Sequence, residues 1–143
     1  MRCYVYAHKD FDTLCKANGW YDDCIPGEIA FISIYCTDGS ENHWFKQNHA
    51  NVINMDFDDI LEDEIESFKG ISDTQAEELY KFIVANQGKD FFIHCSAGKS
   101  RSQAVCKVIT TMYEGYETRP DNPCLYPNIF VSNKLLRLFI RNK

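Results

Sequence analysis

The sequence predicts an α/β domain of three layers, αβα, with helices on both sides of a largely parallel central sheet. Three observations predict it. Short apolar runs that read as buried strands alternate with segments of helical character. The length of 143 residues suits one domain rather than two. The composition, 45% hydrophobic and 25% charged, is that of a globular chain, neither disordered nor fibrous. No repeat, low-complexity tract or linker interrupts it, so residues 1–143 read as a single domain.

Taken in order, Cys3 to Ala7 reads as a first strand. Asp10 to Asn18 reads as a short helix, stopped by Gly19 at a common C-terminal position. Ile29 to Tyr35 is an uninterrupted apolar run and a buried strand. Val52 to Phe57 is another, running into the acidic residues Asp56, Asp58 and Asp59. Ser72-x-x-Gln75 is a capping box that opens a helix through Asn86. Along it Ala76, Leu79, Phe82 and Ile83 form one apolar stripe, and Gly88 ends it. Phe91 to His94 is a short strand, and Ser102 to Glu114 a helix. Pro120, Pro123 and Pro127 hold an extended loop. A last helix follows, with Leu135, Leu138 and Phe139 in its core face.

Several classes are excluded by composition. The longest apolar run is far below the ~20 residues that cross a bilayer, so no membrane span is expected. The N-terminal residues lack the apolar core of a secretory signal. The net charge of −6 argues against a dedicated DNA-binding protein, which carries a basic face. Seven cysteines without a secretory leader point to a reducing, cytoplasmic setting. No CxxC pair exists, so zinc-ribbon and thioredoxin-type spacings are absent. Most of these thiols read as packing residues. His8, His43 and His49 show no HxxxH or HExxH spacing. No metal and no cofactor is expected.

The informative stretch runs from Phe91 to Ile109: strand, loop of small residues, helix. Successive backbone N–H groups and a helix N-terminus make such a loop receptive to anions. Gly98-Lys99-Ser100 matches the tail of a nucleotide-binding GxxxxGK[ST] loop. The first glycine of that motif falls on Ile93, and the chain after Ser100 is too short for such a domain, so that reading is rejected. A second reading fits. Cys95 and Arg101 bracket Ser96, Ala97, Gly98, Lys99 and Ser100. A phosphoryl group needs a nucleophile beneath phosphorus and donors around its oxygens. The curled loop supplies N–H groups, and Arg101 adds a planar fork. Positive surroundings of this kind favour the thiolate of a reactive cysteine.

His94-Cys95-Ser96-Ala97-Gly98-Lys99-Ser100-Arg101-Ser102 resembles the HCxxGxxR[S/T] signature of the cysteine-dependent protein tyrosine phosphatases. It is most similar to the compact dual-specificity branch and its small bacterial and phage relatives. The resemblance spans about Val52 to Ile109. It implies that Cys95 attacks phosphorus to form a phosphocysteine, and that Arg101 binds phosphate and stabilises the transition state. It implies that Ser102 donates to the thiolate sulfur, that His94 orders the loop, and that Gly98 lets the backbone turn close to the anion. It also implies an aspartate general acid upstream. Ile53 to Ile60 resembles the strand and loop that carry it. Strand-to-strand alignment favours Asp59, with Asp58 the runner-up and Asp56 and Asp63 behind.

The expected activity is metal-free hydrolysis of phosphotyrosine in a protein substrate, with phosphoserine and phosphothreonine as further candidates. A phosphoinositide phosphatase and an RNA 5′-triphosphatase use the same scaffold and stand as alternatives. Lys99, inside the loop, is the residue that bears on them. A phosphate-binding pseudophosphatase is the alternative that is not an enzyme. The acidic total does not oppose a phosphorylated partner: residues 1–98 sum to −11 and residues 99–143 to +5. A reactive thiol such as the one expected at Cys95 is also a candidate for pairing with a second thiol on oxidation.

Overall fold

Side-chain alternation sorts the strands of the computed structural model onto one sheet with two apolar faces. Residues 1–118 and 126–142 are described; Pro120, Pro123 and Cys124 lie outside them. The elements are β1 (Arg2–Ala7), α1 (His8–Asn18), β2 (Ile29–Tyr35), β3 (Val52–Asp56), β4 (Glu64–Ile65), β5 (Phe68–Lys69), α2 (Asp73–Ala85), β6 (Asp90–Cys95), α3 (Arg101–Met112), β7 (Glu117–Thr118) and α4 (Ile129–Arg141). The central sheet runs β3-β2-β6-β1-β7. All of its pairings are parallel, and β4 and β5 form a separate antiparallel ribbon.

One face of the sheet carries Cys3 and Val5 of β1, Ala30, Ile32 and Ile34 of β2, Ile53 and Met55 of β3, and Phe91 and Ile93 of β6. These meet Leu79 and Ile83 of α2, Val105 and Ile109 of α3, and Leu135 of α4. The opposite face carries Phe31 and Val52, covered by Phe11 and Cys15 of α1 and by Phe45 from the β2–β3 connection. Trp20 and Trp44 pack at its rim. The result is the expected three-layer α/β architecture. Parallel sheets favour it because both of their faces need cover.

The elements form close to where the sequence places them, with physical reasons for the differences. β2 has the expected bounds. α1 starts two residues earlier, at His8, without a side-chain cap. Its first amide is met instead by the Ser96 carbonyl, 3.1 Å away, a partner remote in sequence. Gly19 closes α1 at φ 69°. α2 ends at Ala85 rather than Asn86, which caps it. Asn86 is buried, and its side-chain amide donates to the Ala50 and Phe82 carbonyls. Phe57 lies past the end of β3, yet its amide still donates to Tyr35 O at 3.0 Å. β4, β5 and β7, each of two residues, are too short to leave a periodic signal.

The Ser72 hydroxyl accepts from Gln75 N at 3.1 Å, and Gln75 Oε1 accepts from Ser72 N at 3.0 Å. Gln75 Nε2 reaches on to Asp56 O at 2.8 Å, so the capping box also grips the end of β3. Replacing Ser72 by Ala is expected to lower unfolding free energy by about 1 kcal/mol. Urea denaturation checks this, with the midpoint falling at an unchanged slope.

Candidate active site

The β6–α3 loop, residues 96–100, stands at the C-terminal edge of the sheet, where open parallel sheets place their ligands. Its shape depends on Gly98. That residue has φ +68°, and a Cβ there would lie 2.6 Å from Ala7 N and 2.7 Å from the Tyr6 carbonyl carbon. Both are main-chain atoms of β1. The expectation that Gly98 serves close approach to an anion is therefore joined by a steric reason within the fold. The loop's carbonyls are tied back. Ser96 O accepts from His8 N, Ser100 O from Ala104 N and Asn128 N, and Gly98 O from Gln103 Nε2. No amide of residues 96–100 donates to a described residue.

Cys95 ends β6 and is 2% exposed. Its Sγ lies 3.0 Å from Ser102 Oγ on the first turn of α3. Arg101 begins α3 and is 4% exposed. Its guanidinium donates from Nη1 to Phe57 O at 2.7 Å and from Nη2 to Ser96 Oγ at 2.9 Å. Cys36 Sγ lies 3.7 Å from Nη2. The Nε of Arg101 is buried and has no partner among the described residues. Ser96 Oγ in turn donates to Glu41 Oε1 at 3.0 Å, and that oxygen also accepts from Cys36 N. Ala97 and Lys99 are exposed. The fold thus gathers Cys95, Ser96, Arg101 and Ser102 around one loop.

The two adjacent aspartates after β3 have different surroundings. Asp58 is buried. Its carboxylate accepts from Thr37 N at 3.0 Å, Thr37 Oγ1 at 2.5 Å and Lys69 N at 2.8 Å. Burial pushes its carboxyl up, but the Thr37 and Lys69 bonds and the Arg101 charge outweigh burial and hold it below its usual range. Asp58 is therefore an ionised structural anchor. Asp59 is exposed. Its Oδ1 accepts from Ser100 Oγ at 2.8 Å and from Asn128 Nδ2 at 2.7 Å, which brings it to the β6–α3 loop. Asp56 pairs with His43 at 2.8 Å and Asp63 with Lys134 at 2.8 Å.

His94 turns to the opposite face of the sheet from Cys95. Its ring stacks on Phe11 at 4.3 Å and meets the Tyr35 ring edge-on at 5.1 Å. Burial, then the neighbouring His8 imidazole, hold its pKa down to about 3, with the Cys95 main chain acting weakly the other way. Both ring nitrogens are buried with no hydrogen-bond partner among the described residues. Cys15 is a packing thiol: burial, aided by Asp12, pushes it up to about 12. All six described cysteines are free. Among the described residues, no group of three or more His, Cys, Asp or Glu is placed to hold a metal ion. No described helix is long and apolar enough to cross a membrane.

Sequence reasoning did not single out Thr37, Glu41, Gln103 or Asn128 for the site. Tyr126-Pro127-Asn128 reads from sequence as a turn and helix start, and Asn128 does cap α4, but that local signal does not reveal its reach to Asp59. Comparisons with protein-family models, with curated proteins and with solved structures find no match.

Two outcomes are expected. Gly98→Ala combines a positive φ with a main-chain overlap and should cost about 1–3 kcal/mol of stability, read by chemical denaturation. Second, the unfolded chain protonates His94 near 6.5, whereas the folded chain resists protonation down to about 3. The unfolded state binds more protons in between. Stability from this residue is therefore full above about pH 6.5 and falls by about 1.4 kcal/mol per unit below it. His94→Phe should flatten that fall between pH 6.5 and 5 in urea titrations.

Proposed function

We propose that the chain is a cysteine-dependent phosphomonoester hydrolase acting on phosphotyrosine in protein substrates, through a phosphocysteine on Cys95. The observation that carries this reading is the β6–α3 loop. Its five amides of residues 96–100 have no acceptor among the described residues, and the buried Arg101 beside them has an Nε–H with no partner among them either. Donors of this kind suit the charge that develops on a phosphoryl group in transfer. The Cys95 thiolate attacks phosphorus, and the S–P bond forms as the ester P–O bond breaks. Asp59 gives its proton to the leaving oxygen, then as carboxylate takes one from the water that releases phosphate. Ser102, 3.0 Å from the sulfur, supplies a hydrogen bond that makes the thiolate a better leaving group in the second step. Asp58 lacks the freedom for the acid role, since Thr37 and Lys69 hold it ionised. His94 supports the loop from beneath by filling the aromatic cluster around Phe11.

The test is hydrolysis of an aryl phosphate. Cys95→Ser should abolish turnover, and Arg101→Lys should reduce it by about 10²-fold or more. Asp59→Asn should slow it by about 10²–10⁴-fold, while Asp58→Asn should act mainly on stability. Full activity in Cys95→Ser overturns the mechanism. A panel of phosphopeptides, inositol phosphates and triphosphorylated RNA assigns the substrate class; a preference for either of the last two overturns the protein-phosphatase reading.

A further inference from the structure

We propose that Ser100 and Asn128 are positioning residues for the general acid: they hold Asp59 by its Oδ1 and so leave the transferable proton on Oδ2. This rests on the phosphatase reading above and extends it. Asp59 is exposed and follows a strand end, so its side chain has many rotamers open to it. Two donors converge on one of its oxygens, Ser100 Oγ at 2.8 Å and Asn128 Nδ2 at 2.7 Å.

The Asn128 side chain is oriented by four contacts. It is 3% exposed. Its Oδ1 accepts from Phe130 N at 3.0 Å and Val131 N at 3.1 Å, capping α4. A flipped amide would turn NH₂ toward those N–H groups, so the cap sets which end faces Asp59. Nδ2 then points at Asp59 Oδ1 and at Ile60 O, 3.1 Å away. The Asn128 amide also donates to Ser100 O at 3.1 Å. One buried residue therefore joins the acid segment, the β6–α3 loop and the start of α4. Ser100 contributes from inside the loop.

The chemistry of a carboxylic acid completes the assignment. A protonated carboxyl has one oxygen that donates and one that accepts. With both donors aimed at Oδ1, a proton on that oxygen would oppose them. It therefore sits on Oδ2. In the first step the Cys95 S–P bond forms, and the ester P–O bond breaks with its electron pair on the leaving oxygen. The Oδ2 proton moves to that oxygen, and Asp59 is left as the carboxylate.

A residue that only caps α4 affects all substrates alike. One that positions the acid matters only where the leaving oxygen needs a proton. The experiment compares kcat/KM for phenyl phosphate, with its basic leaving group, against dinitrophenyl phosphate, whose leaving group needs no acid. Asn128→Ser keeps a good helix cap and removes Nδ2, and Asn128 lies outside the phosphate-binding loop. It should lower kcat/KM about tenfold on phenyl phosphate, the loss of one hydrogen bond to the carboxylate that forms, and change it less than about twofold on dinitrophenyl phosphate. In an Asp59→Asn background it should lower it no further. Equal losses on both esters, or further loss in the Asp59→Asn background, overturn the proposal. Absence of turnover by the unaltered chain on either ester overturns the phosphatase reading itself, and this proposal with it.

Discussion

Residue 98 has no Cβ, and the placement of the β6–α3 loop depends on that. A carbon built there would stand 2.6 Å from Ala7 N, so any larger residue would lift the loop off the end of β1. The parallel register sets the same geometry from below, because Ala7 pairs with Cys95. From that seat follow the bond from His8 N to Ser96 O, which starts α1, and the approach of Cys95 Sγ to Ser102 Oγ. One steric condition thus links strand pairing, the entry to a helix and the geometry of the thiol.

Arg101 extends the arrangement into the acid segment. Its bond to Phe57 O fixes the main chain one residue before two adjacent carboxylates that diverge in environment. Asp58 turns inward, where the Thr37 amide and hydroxyl and the Lys69 amide satisfy it. Asp59 faces the loop, where its partners are Ser100 and Asn128. Burying a carboxylate is tolerable only with such partners, and three donors are a strong reason for Asp58 to stay charged. The division of labour between neighbours is therefore electrostatic: one is anchored in the protein, and the other stays at its surface.

The face opposite the three packed helices has its own logic. Phe11, Tyr35 and His94 form an aromatic group in which His94 is neutral over the physiological range because its charged form has no solvation there. Cys95, the next residue, turns to the other face, as strand alternation demands. The buried imidazole and the thiol thereby sit on two sides of one strand.

Much of this was legible from residue patterns. The β2 run from Ile29 to Tyr35, the Ser72–Gln75 capping box and the Ala76, Leu79, Ile83 stripe are local, and local periodicity reports them faithfully. The two-residue strands were not legible, because pairing partners define them rather than propensity. Nor was the entry to α1, whose first amide is met by Ser96, nor the role of Asn128, whose side chain reaches Asp59 and Ile60 far back in the chain. By itself the sequence determined the alternating α/β order, the small-residue loop between Cys95 and Arg101, and the pair of candidate acids. Only the tertiary structure decided which aspartate faces the loop. Neighbours in sequence differ in what they meet in space, and hydrogen-bond partners from distant segments set that difference.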